Sequence, residues 1–85
     1  METIKGYIER ISFRNPQNGY TVMSVVTDSE KLTCVGSAMG FSEGETIEAD
    51  GIYVDHSVYG RQFKIESLRS VAPSDRISVL RYLGS

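Results

Sequence analysis

The chain has 85 residues, which leaves room for one domain and one modest core. Its 40% hydrophobic and 24% charged residues suit an ordinary soluble globular chain, with no signal peptide, no apolar run of membrane-spanning length and no low-complexity tract. The net charge of −2 carries no general signal of nucleic-acid binding, and the single cysteine, Cys34, excludes an internal disulfide and a CxxC metal pair, so a reducing, cytoplasmic setting is expected.

The first strand is expected over about Thr3–Arg14. Ile4 and Ile8 share one parity and Ile11 and Phe13 the other, which places a bend near Glu9–Arg10. Arg14-Asn15-Pro16-Gln17-Asn18-Gly19 is a turn, since Pro16 presets φ and Asn18-Gly19 tolerates left-handed conformations. Tyr20–Thr27 is rich in β-branched and aromatic residues and reads as the second strand. After the polar turn Asp28–Lys31 comes a third strand, Leu32–Ala38. Met39–Gly44 is too short and too glycine-rich for more than one helical turn, with Phe41 expected to plug a barrel end.

Glu45–Arg69 then reads as a long, bent hairpin. Ile47, Ala49 and Gly51 alternate with polar residues, after which Ile52 and Val54 take the other parity, so a bulge with a change of face is expected at Gly51. Asp55–Gly60 makes the turn, with Gly60 at positive φ, and Phe63 and Ile65 share one face of the return strand. Two bent strands in so short a chain favour a closed barrel. The expected interior is Ile8, Val22, Val25, Ile47, Ile52, Phe63 and Ile65. The barrel is assigned to residues 1–71, and 72–85 to the start of a helical linker. Ser74-Asp75 is its start signal, and Ile77, Leu80 and Leu83 form an apolar stripe fit for self-association. The abrupt stop after Tyr82-Leu83-Gly84-Ser85 suggests a fragment of a longer chain.

No catalytic set is legible. His56 is the only histidine, Ser57 beside it cannot form a triad by adjacency, and no phosphate-binding G-x-x-x-x-G-K loop is present. Glu45, Glu48 and Asp50 read as a solvated strand face rather than a metal site. Charge is unevenly laid out: Glu43, Glu45, Glu48, Asp50 and Asp55 crowd one block without a base. What remains is Arg14, Asn15, Asn18 and Tyr20 around the first turn, and His56, Tyr59, Arg61 and Phe63 around the last. Aromatics beside arginine are the ingredients of single-strand recognition, in which bases stack and guanidinium groups meet phosphate. The alternative is that Tyr20 and Phe63 are core and the arginines merely solvated.

Five bent strands in 3+2 order with a minimal third-to-fourth link match the all-β, five-stranded Greek-key barrel of the oligonucleotide-binding OB-fold, here with a short C-terminal α-helix. I-K-G-Y-I-E-R-I-S-F-R-N-P-Q-N-G-Y-T-V, E-G-E-T-I-E-A-D-G, H-S-V-Y-G-R-Q-F and R-Y-L-G-S, in this order, resemble the N-terminal segment of bacterial RecD-like (RecD/TraA family) helicases. The resemblance covers nearly the whole chain. It implies an accessory module of an ATP-dependent 5′–3′ DNA helicase, with ATP, Mg²⁺ and the motor motifs in downstream domains and no catalytic residue or cofactor here. Tyr59, Gly60, Arg61, Gln62 and Phe63 match the family motif. The expected partners are single-stranded DNA, bound weakly, and the downstream helicase domains, with no membrane. The competing expectation is a docking module that never meets DNA.

Overall fold

The structure, a computed structural model, describes residues 1–73. The β-branched and aromatic runs form five strands, β1 (Glu2–Arg14), β2 (Tyr20–Thr27), β3 (Lys31–Ser37), β4 (Thr46–His56) and β5 (Gly60–Ser70). They close into a barrel in the order β1-β2-β3-β5-β4, with β4 returning to β1. All pairings are antiparallel except β3 with β5, which run parallel through Cys34–Phe63 and Val35–Lys64. This is the OB-fold topology. The expected C-terminal helix lies outside the described residues.

Three irregularities bend the strands enough to close so small a barrel. In β1, Glu9 and Ser12 are each left without a partner opposite β2, because Ile8 pairs with Val25, Arg10 with Ser24, Ile11 with Met23 and Phe13 with Val22. The hairpin is irregular at Gly51, as expected, but the extra residue is Glu66 on β5: Asp50 pairs with Ser67 and Gly51 with Ile65. Hence β4 keeps its parity. Ile47, Ala49 and Gly51 are buried, Tyr53 packs on the core, and Ile52 faces outward at 42% exposure. The face changes in β5 instead, from Phe63 and Ile65 to Leu68. Gly51 is needed for close approach rather than for a bulge of its own, because a Cβ there would collide with the carbonyl oxygen of Lys64 and the Phe63 ring.

The interior is built from Ile8, Met23, Val25, Leu32, Cys34, Ala38, Ile47, Ala49, Phe63 and Ile65, with Ile4, Ile11, Phe41, Tyr53 and Leu68 against it. Two of the expected core residues are corrected. Ile52 is exposed for the reason given, and Val22 is half-buried on the outside, where it pairs with Phe13 and Val35. Thr21, Met23 and Val25 are the inward residues of β2. Phe13 is also turned out, at 53% exposure, because the Ser12 irregularity shifts the end of β1 by one residue. The Tyr53 ring meets Phe63 edge-on at 5.1 Å, a cross-strand pair that closes one end of the core. Burial pushes the Cys34 thiol up to about 12, so it behaves as a small apolar side chain.

Candidate nucleic-acid interface

The first turn is built by its own asparagines. Asn15 Oδ1 accepts the Gln17 N–H at 2.9 Å and Asn18 Oδ1 accepts the Tyr20 N–H at 2.9 Å, while the backbone N–H of Gly19 donates to the Asn15 carbonyl. Both side-chain oxygens are therefore engaged in shaping the loop. Arg14 is engaged as well. Its guanidinium donates to the Ala38 carbonyl at 2.9 Å, to the Phe41 carbonyl at 2.6 Å and to Thr21 Oγ1 at 3.2 Å, tying the β3–β4 link to the barrel end. Arg14 is half-buried, and it alternates with Phe13 on the strand, so the two side chains leave on opposite faces.

The last turn is organised by His56. Its Nδ1 accepts the N–H groups of Val58 at 3.0 Å and Tyr59 at 3.2 Å, which closes the three-residue loop between the paired residues His56 and Gly60. Gly60 completes it at φ +78°, a conformation that favours glycine. The imidazole and the Tyr59 ring lie with centroids 4.8 Å apart, tilted by 36°. An imidazole nitrogen that accepts carries no proton, so in this arrangement the ring proton is on Nε2. Arg61 leaves on the other side, its guanidinium carbon 3.9 Å over the centre of the Tyr53 ring in a cation–π contact.

Between these turns the outer face of β1–β2–β3 forms an open groove of about 530 Å³. Phe13, Tyr20, His56 and Tyr59 supply its rings, Val22 and Val35 its floor, and Ser12, Thr33 and Gln62 its polar groups. None of these side chains is charged at neutral imidazole. Of the residues singled out from sequence, Tyr20, His56 and Tyr59 meet in this groove; Arg14, Asn15, Asn18 and Arg61 do not line it. Phe63 is fully buried core, as the alternative reading of the sequence had it.

Sequence reasoning missed Ser12, Phe13, Val22, Thr33 and Val35 as lining residues and reached Gln62 only through the family motif. Phe13 could be found only by counting the second unpaired residue of β1. Two further cations lie near by register: Arg10 pairs with Ser24, which pairs with Thr33, and Lys64 pairs with Val35. Both are exposed and make no ion pair among the described residues. They, rather than Arg14 and Arg61, are the positive charges placed to flank the groove.

Of the acidic block, Glu48 and Asp50 lie on the outer face of β1–β4–β5 and are paired there. Arg69 binds Asp50 at 2.9 Å and Glu48 at 2.8 Å, and Asp50 also accepts from Thr3 at 2.6 Å and Ser67 at 2.9 Å. The Arg69 hydrogen bond, followed by those from Thr3 and Ser67, holds the Asp50 carboxyl well below the usual carboxylate range. Glu43 accepts the backbone N–H of Ile11, beside the β1 irregularity, and Glu45 accepts from Ser42 and Ser70.

A five-stranded closed barrel in this strand order, with an aromatic groove between its first and last turns, has the OB-fold architecture. The family model for the OB-fold domain of the ATP-dependent DNA helicase YrrC matches residues 1–73, every strand included. The chain belongs to that family of helicase OB-fold domains.

Proposed function

We propose that the domain is an accessory module of a RecD-like, 5′–3′ DNA helicase, and that it holds or guides single-stranded DNA along the outer face of β1–β2–β3. The supporting observation is the gathering of Phe13, Tyr20, His56 and Tyr59 around one open groove, on a fold whose corresponding face and turns bind oligonucleotides. Tyr59 is 75% exposed and contributes nothing to the core, so its placement serves a partner better than it serves stability. ATP, Mg²⁺ and strand translocation belong, on this reading, to downstream motor domains in the cytoplasm, and the domain itself performs no covalent chemistry.

The uncharged lining and the net charge of −2 make the binding weak, on the order of micromolar or weaker at physiological salt. A fluorescence titration with a labelled dT oligonucleotide at low and moderate salt tests this. Saturable binding that weakens in Tyr59→Ala, with the melting temperature unchanged, is the expected result. One observation favours a second reading: Val58, beside Tyr59 at the tip of the same turn, is apolar and 75% exposed, which suits docking on a protein surface. No binding even at low salt would transfer the groove to that docking role.

A further inference from the structure

Resting on the single-strand reading, we infer that the groove is a base-reading subsite: it takes an unpaired base between its aromatic rings, and His56 donates its Nε2–H to a keto oxygen of that base. The lining is complementary to a base and not to a phosphodiester. A phosphate needs cationic or clustered N–H donors, and none of the nine lining side chains is cationic while His56 accepts at Nδ1. A nucleobase is a neutral plane with hydrogen-bonding edges, which stacks on Tyr, Phe or His and is read at its rim.

The tautomer makes His56 more than a stacking surface. Its Nδ1 is committed to the Val58 and Tyr59 N–H groups, so the ring is a donor only at Nε2, the opposite edge of an imidazole that lines the groove. The same two bonds fix the turn that carries Tyr59, so donor and stacking ring are positioned together. Gln62, whose side chain makes no hydrogen bond among the described residues, offers both a donor and an acceptor beside them. On the Watson–Crick edge that a single strand exposes, thymine offers a lone Nε2–H donor two keto oxygens, O2 and O4. Adenine offers one ring nitrogen, N1, beside an N6 amino group that a second donor repels, so His56 tilts the site toward thymine. Backbone phosphates are left to Arg10 and Lys64 at the flanks.

The test compares dT, dA and an abasic oligonucleotide of equal length on the wild-type domain and on His56→Asn. Asparagine Oδ1 stands where Nδ1 stands and keeps the acceptor for the turn, but it removes the Nε2–H. Wild type should prefer dT over dA by roughly two- to ten-fold, the worth of one neutral hydrogen bond. It should not bind the abasic strand measurably. The salt slope should be no steeper than two phosphate contacts give, about −1.4. In His56→Asn the dT preference should vanish with the melting temperature unchanged, which self-stacking of dA cannot imitate because it is the same for both proteins. Equal binding of abasic and dT strands with a steep slope would overturn the base-reading site while leaving single-strand binding intact. A dT preference that survives in His56→Asn would overturn the role of His56. No binding of any strand would defeat both this inference and the function it rests on.

Discussion

The barrel has two outward faces of opposite character. On β1–β4–β5, Arg69, Glu48, Asp50, Thr3 and Ser67 satisfy one another in one charged cluster. On β1–β2–β3, Phe13, Tyr20 and Tyr59 stand open beside Gln62, and the polar edges of that groove look outward. The difference separates two uses of surface. A face whose side chains close their own hydrogen bonds gains little from a ligand, because binding would first break what is already made. A face that leaves aromatic planes and one-sided donors exposed gains stacking and hydrogen bonds at little cost.

Both faces rest on one interior, and the strongest perturbation is there. Ile47→Ala should lose about 2–5 kcal/mol, whereas Ile52→Ala, five residues along the same strand but turned outward, should stay within about 0.5 kcal/mol. Thermal melts of the pair check this, and equal losses would mean that β4 does change parity at Gly51. Next comes Arg14→Ala, which leaves the Ala38 and Phe41 carbonyls without their charged donor. It should lower stability by about 1.5–3 kcal/mol in denaturant titrations. Strand affinity, measured where the variant is folded, should hardly change, because Arg14 does not line the groove. A selective loss of affinity would move the binding face toward the barrel end.

Tyr59→Ala sharpens the contrast from the other side. Stability should be unchanged, and dT affinity should fall by about 1–3 kcal/mol, read as a shift of the titration midpoint. The smallest effect is expected on the acidic face. Asp50 has a folded pKa depressed by Arg69, Thr3 and Ser67, so its stabilising contribution is present above the unfolded carboxylate pKa of about 4. It is lost as pH falls through that value toward the folded one. Asp50→Asn should therefore flatten the acid limb of a melting-temperature profile, only slightly because the network is exposed, and leave dT binding untouched. A profile identical to wild type below about pH 4 would show that Asp50 contributes nothing there.

The positions of the five strands and the three hairpin turns follow from local chemistry: β-branched runs of period two, Asn18-Gly19, the polar run Asp28–Lys31, and Gly60 at the end of the last turn. From these the barrel and the turn-flanking residues Tyr20, His56 and Tyr59 could be read. Which side chains face inward after a bend could not, because a bulge is a relation between two strands. The break in the hairpin falls at Gly51, yet Glu66 on the partner strand is the unpaired residue, so Ile52 goes out and Tyr53 goes in. In the same way Ser12 turns Phe13 out to the groove. The arginines were undecidable for a related reason. Arg14 and Arg61 sit at the turns in the sequence, but what holds them is the Ala38 and Phe41 carbonyls and the Tyr53 ring. Local propensity sets where a chain extends and turns; only the closed barrel, which brings distant carbonyls and rings within reach, decides which polar groups are left over for a ligand.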